Sequence, residues 1–434
     1  MKQKHSLAAG LLLTGLLLNG CGSMTPTATP VQPTATTLPA ATDMTQAPAT
    51  STMQAPATNI AQPAPTSTMQ DATPTIAQVV TPTMSDDSTA TTVTGATMVT
   101  TATTAAGATT ATGGTTPLAS SAAHDKVRFA LDWTPNTNHT GIYVALQKGW
   151  YAEQGIDLQI LPYSDANTPD TLVATGQADF GISFEESVVT DRVSKLPIKS
   201  VAAVLQTNTS ALASLKSSGL DRPARLEGKR YAGFGSTFEE PVVATVLKSD
   251  GAPTGKIQNI TTNLSGYQAI IAKQADFLWI YQGWEGVQAK LDRVDLNVFP
   301  IKNYGVPDYY TPVIISNEGF LGQHGDVARR FLAATARGYE YGVTNPDNAA
   351  DILVKSAPAS TFADPTLPHE SQKYLAPYYK GDQQRWGQQK LEYWTNFPRF
   401  IANTGLLKTP DGKVVKPEEI DYSSLFTNDY LPQK

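Results

Sequence analysis

Aromatic side chains are absent from the first 123 residues of this 434-residue chain, although the whole sequence contains 13 Phe, 17 Tyr and 6 Trp. A segment without aromatic residues cannot bury enough apolar surface to offset the entropy lost on ordering. We therefore expect the N-terminal segment to remain unfolded and residues 124–434 to form the folded part. That length is sufficient for a large core or for two lobes.

Cysteine is also nearly absent. The only one is Cys21, which excludes an intrachain disulfide and any cysteine-based zinc or iron–sulfur site. The His residues of the folded part do not stand at metal-ligand spacing, and there is no G-x-S-x-G motif. The sequence therefore predicts no metal site, no catalytic residue and no cofactor.

Positive charge is in slight deficit, since 32 Lys and Arg stand against 38 Asp and Glu, a net charge of −6. The two signs are interspersed and form no basic stripe, so nucleic acid is not an expected partner. No apolar run of about 18 residues follows the N-terminus, so the folded part is not expected to span a membrane.

The N-terminus has the pattern of an export signal, because two Lys precede an apolar run from Leu7 to Leu18. The run ends in Leu-Asn-Gly-Cys, which resembles the lipobox of bacterial lipoproteins. The resemblance implies a signal peptide at 1–20, a lipid on Cys21 and a location on the extracytoplasmic face of the cell membrane. The alternative is an ordinary cleavable signal followed by an incidental cysteine.

The next segment is rich in Thr, Ala and Pro and carries a weak repeat. The sequence STMQAPATNIAQ from Ser51 recurs as STMQDATPTIAQ from Ser67. Nothing in it has a periodic apolar face, so residues 21–123 are predicted to be a disordered, lipid-anchored tether.

The folded part alternates short apolar segments with helical patterns, which predicts an α/β fold with mostly parallel sheets. Ala178–Ser183 and Phe277–Ile280 are examples of predicted strands. Predicted helices include about Thr140 to Glu153, Glu185–Val193, Thr237–Ser249 and a helical stretch from after Ile315 to about residue 403.

The pattern restarts after residue 228 and returns near residue 310, which predicts two lobes joined by crossings near 206–226 and 300–310. The first lobe is expected to span about 124–210 plus 310–434, and the second about 220–305. A ligand cleft is expected between them, at the carboxyl ends of the strands.

Four segments of the folded part resemble one known superfamily. They are LDWTPNTNHTGIYVALQKGWYAEQGIDLQILP (Leu131–Pro162), GQADFGISFEESV from Gly176, LEGKRYAGFGSTFEEP from Leu226 and ADFLWIYQGWEG from Ala275. The superfamily contains binding proteins for thiamine-pyrimidine precursors, riboflavin-binding proteins and the eukaryotic pyrimidine synthase of thiamine biosynthesis. The resemblance implies a type II periplasmic-binding-protein fold and the role of solute receptor for an ABC importer, with the transmembrane subunit as partner.

Polar and aromatic side chains follow the ends of the predicted strands. The candidate ligand-binding residues are Trp133, Asn136, His139, Glu185, Ser236, Tyr281 and Trp284. Rings for stacking beside amide, imidazole and carboxylate groups suit a flat, neutral heterocycle. No Lys or Arg cluster is present to bind an anion.

The same residues also fit purely structural roles. Trp133 to His139 reads equally as a turn with His139 capping the next helix, and Glu185 as an acid favoured in a first helical turn. Thr237 to Glu240 has the spacing of a capping box.

The riboflavin-binding branch is the most similar, so the resemblance implies that the ligand is riboflavin, taken up as a transported solute. A formylaminopyrimidine-type thiamine precursor is the alternative. Two weaker alternatives are an exported interaction module on a stalk and a pyrimidine synthase-like enzyme. The synthases share W-x-P-x-x-x-H, here Trp133, Pro135 and His139, but as a family they carry a Cys-rich segment that this chain lacks. We therefore predict a non-enzyme.

Overall fold

The structure is a computed structural model that describes residues 124–164, 166–262, 264 and 266–433. The predicted signal peptide 1–20, Cys21 and the tether 21–123 lie outside the described residues. Within the described part, no helix combines the length and the apolar character needed to cross a membrane.

Strands and helices alternate over most of the described chain and give way to helices after residue 317. The strands are β1 Asp125–Ala130, β2 Ile156–Leu161, β3 Phe180–Ser183, β4 Ile198–Ala203, β5 Ser210–Leu215, β6 Arg230–Ala232, β7 Gln258–Ile260, β8 Phe277–Tyr281, β9 Leu296–Pro300 and β10 Val313–Asn317. The α-helices are α1 Thr140–Gln147, α2 Trp150–Glu153, α3 Pro169–Ala174, α4 Glu185–Val193, α5 Glu239–Ser249, α6 Gln268–Ile271, α7 Val287–Leu291, α8 Glu318–Gln323, α9 Gly325–Thr344, α10 Pro346–Ser356, α11 Thr366–Lys380 and α12 Tyr393–Asn403.

The strands form two five-stranded sheets. The first has the order β2-β1-β3-β10-β4 and the second the order β7-β6-β8-β5-β9. We call the first sheet with α1–α4 and α8–α12 the first lobe, and the second sheet with α5–α7 the second lobe. The chain crosses between the sheets at residues 204–209 and 301–312.

The sheets are mixed, but four of the five strands in each sheet run in the same direction, so the expectation of mostly parallel sheets is confirmed. β1 runs parallel to β2 and β3, and β6 runs parallel to β7 and β8. β10 is antiparallel to β3 and β4, and β5 is antiparallel to β8 and β9. The antiparallel strands β5 and β10 are those that follow a crossing, where the chain enters a sheet without a preceding crossover helix.

The first crossing is shorter than the predicted 206–226, because Ser210–Leu215 is a strand. Its sequence, SALASL, has no β-branched or aromatic residue, so local preference gives no strand signal. Pairing with β8 on one side and β9 on the other places it at the interior of the second sheet.

Aromatic stacking and a close helix crossing build the core of the first lobe. Phe331 of α9 stacks on Phe180 with ring centroids 4.1 Å apart and on Tyr151 at 5.5 Å. Helices α1 and α9 touch through two glycines, since a Cβ on Gly338 would lie 1.9 Å from the carbonyl oxygen of Gly141. This contact fixes α1, and with it the loop that precedes α1.

Candidate ligand-binding site

The predicted site residues lie at or just after the carboxyl ends of β1, β3, β6 and β8, two of these strands in each lobe. The segments after β1 and β8 meet at Ser371, whose Oγ lies 2.6 Å from Oγ1 of Thr137 and donates to the carbonyl of Gly283. Burial raises the pKa of Tyr281 well above its usual value, and the nearby charges of Glu186, Glu285, Asp132 and Glu239 raise it further. Glu186 and Asp132 belong to the first lobe and the other two to the second, so Tyr281 lies where both lobes meet.

Trp133 lies on the loop after β1 and is 56% exposed. One part of its indole packs against Tyr163, which follows β2, with ring centroids 4.9 Å apart. An exposed indole held by a neighbouring ring is suited to stack on a planar ligand. Its contact with a ligand stays a prediction.

His139 lies on the same loop but is fully buried. Its Nε2 lies 2.7 Å from Oδ1 of Asp132, and its Nδ1 accepts the backbone N–H of Asn136 at 3.3 Å. Since the backbone supplies the proton on the Nδ1 side, Nε2 carries the hydrogen given to Asp132. Both ring nitrogens are bonded within the loop in this conformation, and a contact of His139 with a ligand stays a prediction.

Asn136 is half-buried and caps the short helix Thr137–His139, where its Oδ1 accepts the N–H of Asn138 at 2.9 Å. Its Nδ2 donates to the carbonyl of Thr134 at 3.1 Å. One amide hydrogen of Asn136 is not used by these two bonds, so a contact with a ligand stays a prediction.

Glu185 opens α4, but its carboxylate faces the second crossing rather than Tyr281. Its Oε2 accepts the backbone N–H of Tyr310 at 2.8 Å, and its own N–H donates to the carbonyl of Tyr310 at 3.2 Å. Burial raises the pKa of Glu185 well above its usual value, although the bond from Tyr310 lowers it. The other oxygen, Oε1, is buried and has no hydrogen-bond partner among the described residues, so a contact of Glu185 with a ligand stays a prediction.

Glu186 is the acid that faces the site. Its charge has the largest effect of any charge on the pKa of both Tyr281 and Tyr309, after burial, and raises both. Its side chain is 8% exposed, and its Oε2 has no hydrogen-bond partner among the described residues. Burial, with a further contribution from Asp170, raises the pKa of Glu186 to about 8. A buried carboxyl with an unused oxygen is a ready acceptor or donor for a ligand.

On the second lobe, Glu239 organises the loop after β6. It accepts the Tyr231 hydroxyl at 2.6 Å and the backbone N–H groups of Phe234 at 3.1 Å and Ser236 at 2.6 Å. Gly233 is required there, since a Cβ would lie 1.9 Å from Oε2 of Glu239. The expected capping box is wrong: α5 begins at Glu239, and no side chain caps it.

Ser236 is half-buried on this loop with its N–H used by Glu239, so the binding role predicted for it is not tested by these contacts. Sequence reasoning missed Phe234, which is 54% exposed and packs edge-on against Trp279 at 5.7 Å. Its position between two glycines at a strand end was the available signal. The indole N–H of Trp279 is buried and has no partner among the described residues.

Trp284 lies in the π-helical turn Gln282–Gly286, which follows β8. It lines a cavity of about 230 Å³ together with Gln288 and Leu291 of the second lobe and Phe362 and Leu367 of the first. None of the other predicted ligand-binding residues lines this cavity. A contact between Trp284 and a ligand stays a prediction.

Residues 136–349 match the protein family described as NMT1/THI5-like. This segment belongs to the NMT1/THI5-like family. It contains Asn136 to His139, the start of α4, the loop after β6 and Tyr281, whereas Asp132 and Trp133 precede it. Among described residues, no three His, Cys, Asp or Glu are grouped so as to hold a metal ion.

The chain is also similar to named relatives and to a solved structure. It is 29% identical over 290 residues to the formylaminopyrimidine-binding protein of Halalkalibacterium halodurans, covering 66% of this chain and 88% of that protein. It is 25% identical over 320 residues to the riboflavin-binding protein RibY of Chloroflexus aurantiacus, covering 71% and 86%. Proteins named 4-amino-5-hydroxymethyl-2-methylpyrimidine phosphate synthase also match, at 25–26% identity.

The periplasmic aliphatic sulphonate-binding protein SsuA from Escherichia coli has the same fold, with a TM-score of 0.53 at 13% identity, covering 71% of this chain and 94% of that one. The periplasmic-binding-protein fold predicted from the sequence is confirmed. It is the fold of solute-binding proteins of ABC importers.

Proposed function

We propose that this chain is the extracytoplasmic solute-binding component of an ABC importer and captures a flat, nitrogen-rich heterocycle for uptake. Two observations support the proposal. Loops from two lobes converge on Tyr281, as in a cleft that encloses a small molecule, and the two binding-protein relatives are named for a formylaminopyrimidine and for riboflavin.

The observation that carries the choice of ligand is the acidic character of the site. The charges that act most on the pKa of Tyr281 are those of four carboxyl groups, and Oε2 of Glu186 is buried with no hydrogen-bond partner among the described residues. Buried carboxyls without a cation favour a ligand that supplies N–H donors or a weakly basic nitrogen. An aminopyrimidine supplies both, so a formylaminopyrimidine-type compound is our first candidate.

Riboflavin, which the sequence favoured, becomes the second candidate. It offers a single ring N–H between carbonyl acceptors, so it pairs well only with the protonated Glu186 carboxyl, whereas an aminopyrimidine, whose ring nitrogen can take the proton, pairs with either form. Its larger ring system would use more of the exposed aromatic surface that Trp133 and Phe234 provide. Because of this aromatic surface and the similarity to RibY, riboflavin is tested beside the aminopyrimidine.

A binding role is preferred to an enzymatic one. Some relatives are named as synthases. However, His139, the imidazole of the shared W-x-P-x-x-x-H pattern, is buried and both of its ring nitrogens are bonded. A general acid or base needs a ring nitrogen within reach of the substrate. A lipid on Cys21 and the importer's transmembrane subunit as partner belong to the same proposal.

Calorimetric titration of the full-length chain with formylaminopyrimidine and with riboflavin, in parallel with flavin fluorescence, tests the proposal. We expect the aminopyrimidine to bind more tightly, and bound riboflavin to be quenched by the site aromatics. Glu186→Gln and Trp133→Ala should each weaken binding of the aminopyrimidine at least tenfold, about 1.4 kcal/mol.

One matched variant serves as the control. Glu153→Gln removes an exposed carboxylate paired with Arg337. It should leave the affinity within about twofold of the parent. If riboflavin binds more tightly than formylaminopyrimidine, riboflavin becomes the first candidate. If neither compound binds, the proposed function is overturned.

A further inference from the structure

A single buried hydroxyl joins the ligand-side segments of the two lobes. Ser371 Oγ lies 2.6 Å from Oγ1 of Thr137 and donates to the carbonyl oxygen of Gly283 at 2.5 Å. Because the Ser371 hydrogen goes to Gly283, Thr137 donates to Ser371. Ser371 is fully buried and Thr137 is 1% exposed, so water does not compete for these bonds in this conformation.

The three residues come from three separate parts of the chain. Thr137 lies on the loop after β1, which carries Trp133 and Asn136. Gly283 lies in the Gln282–Gly286 turn, directly after Tyr281 in the second lobe. Ser371 lies on α11, which packs on α9 and α10 of the first lobe and also on α7 and the Gln282–Gly286 turn of the second.

The surroundings fix both ends of this contact. On the first-lobe side, the Tyr379 hydroxyl donates to the carbonyl of Thr137 at 2.6 Å. On the second-lobe side, Gly283 fits against α11 only without a side chain, since a Cβ would lie 2.5 Å from Cδ2 and 2.8 Å from Cγ of Leu375. Ser371 therefore joins one rigid segment to another at a close contact between the lobes.

We propose that Ser371 is a positioning residue that latches the Tyr281–Gly286 segment to the first lobe and so sets the balance between open and closed forms. When the lobes separate, water can solvate the Gly283 carbonyl and the Thr137 hydroxyl, whereas in the closed form both are bonded to Ser371 and shielded from water. Loss of the hydroxyl therefore penalises the closed form alone. This inference rests on the proposed function only where the test measures dissociation of a ligand.

The test compares Ser371→Ala with Ser316→Ala in the full-length chain. Ser316 is also fully buried, and its hydroxyl donates to the carbonyl of Asp179 at 2.8 Å within the first sheet. Spin labels on exposed positions of the two lobes, Gln159→Cys and Asp295→Cys in a Cys21→Ser background, report the distance between the lobes by pulsed electron resonance. Stopped-flow mixing with formylaminopyrimidine or riboflavin reports ligand dissociation.

We expect both serine variants to lower the melting temperature to a similar extent. Only Ser371→Ala should shift the inter-lobe distances without ligand and speed dissociation about three- to tenfold. Gly283→Ala, which forces its methyl against Leu375, should open the lobes further, and adding Leu375→Ala should partly restore the parental distances.

Parental distances in Ser371→Ala, or equal shifts in Ser371→Ala and Ser316→Ala, would overturn the latch. If neither compound binds the parental chain, the proposed function fails, while the ligand-free distances still decide whether the latch exists.

Discussion

Glu185 and Glu186 are adjacent in the sequence but have different hydrogen-bond partners, and the sequence alone does not predict this difference. The sequence predicts acids at the start of α4 because the helix N-terminus favours negative charge. The backbone N–H of Tyr310, 125 residues away, donates to one carboxylate oxygen of Glu185. Glu186 has no such bond to its Oε2. Contacts of that kind are set by tertiary packing and leave no local pattern.

The raised pKa of Glu186 predicts how stability depends on pH. In the unfolded chain the carboxyl ionises near its usual pKa of about 4.5, whereas in the folded chain its pKa is about 8. The folded state thus holds the proton more tightly, so the stabilising effect is complete below pH 4.5 and is lost as pH rises to about 8. Asp191, whose pKa burial and Asp170 raise to about 8, acts in the same direction.

We expect Glu186→Gln to make the ligand-free chain less sensitive to pH, by on the order of 3 kcal/mol between pH 5 and pH 8. Urea unfolding at several pH values measures this effect, with Glu153→Gln as the exposed control. Equal pH dependence in the parent and in Glu186→Gln would show that this carboxyl is not held protonated by burial.

At the scale of elements, sequence patterns locate most of the structure. The predicted helix Glu185–Val193 is confirmed with the same bounds, and the helical stretch predicted to end near residue 403 is confirmed as α8–α12. The predicted strand Ala178–Ser183 is confirmed as β3, which starts two residues later. These elements have clear apolar periodicity or strong end signals.

The missed elements are short or locally weak. β7 has three residues, and its place in the sheet depends on pairing with β6. The helical pattern predicted from Thr140 to Glu153 is confirmed but divided, since Gly149 adopts a φ of +74° between α1 and α2. A left-handed glycine is a helix stop, and here it turns the chain toward β2.

The crossing of α1 and α9 gives an element-scale prediction. Gly338→Ala would place a methyl group 1.9 Å from the Gly141 carbonyl oxygen, so the helices must separate. We expect a loss of about 1–3 kcal/mol or more in the free energy of unfolding. Urea denaturation measures it, and weaker ligand binding should accompany it because α1 carries the site loop.

Gly322→Ala is the matched control, because Gly322 is also helical and a Cβ there would meet nothing within 4 Å. Alanine has the higher helix propensity, so this variant should gain roughly 0.5–1 kcal/mol. Two variants of equal stability would show that the close crossing does not limit the fold.

At the scale of the whole molecule, strand-end reasoning and resemblance predicted the fold and the loops that converge, but not every side chain. Trp133 and Tyr281 lie on those loops, whereas Trp284 lines another cavity. Its direction is set by the π-helical turn after β8, and an extra residue in a helical turn rotates every side chain that follows it. No sequence pattern predicts the π-helical turn Gln282–Gly286.

The last prediction concerns how the whole molecule is held at the membrane. The signal-like N-terminus and the lone Cys21 motivate a lipid anchor, and no helix among the described residues could span a membrane in its place. Acyl chains supply about 0.8 kcal/mol per buried CH₂, so removing them removes most of the membrane affinity. In cell fractionation, Cys21→Ala should therefore move the chain from the membrane to the soluble fraction or leave it as uncleaved precursor. Ser23→Ala, two residues on, should fractionate as the parent does, and a Cys21→Ala chain that stays with processed protein in the membrane would contradict the anchor.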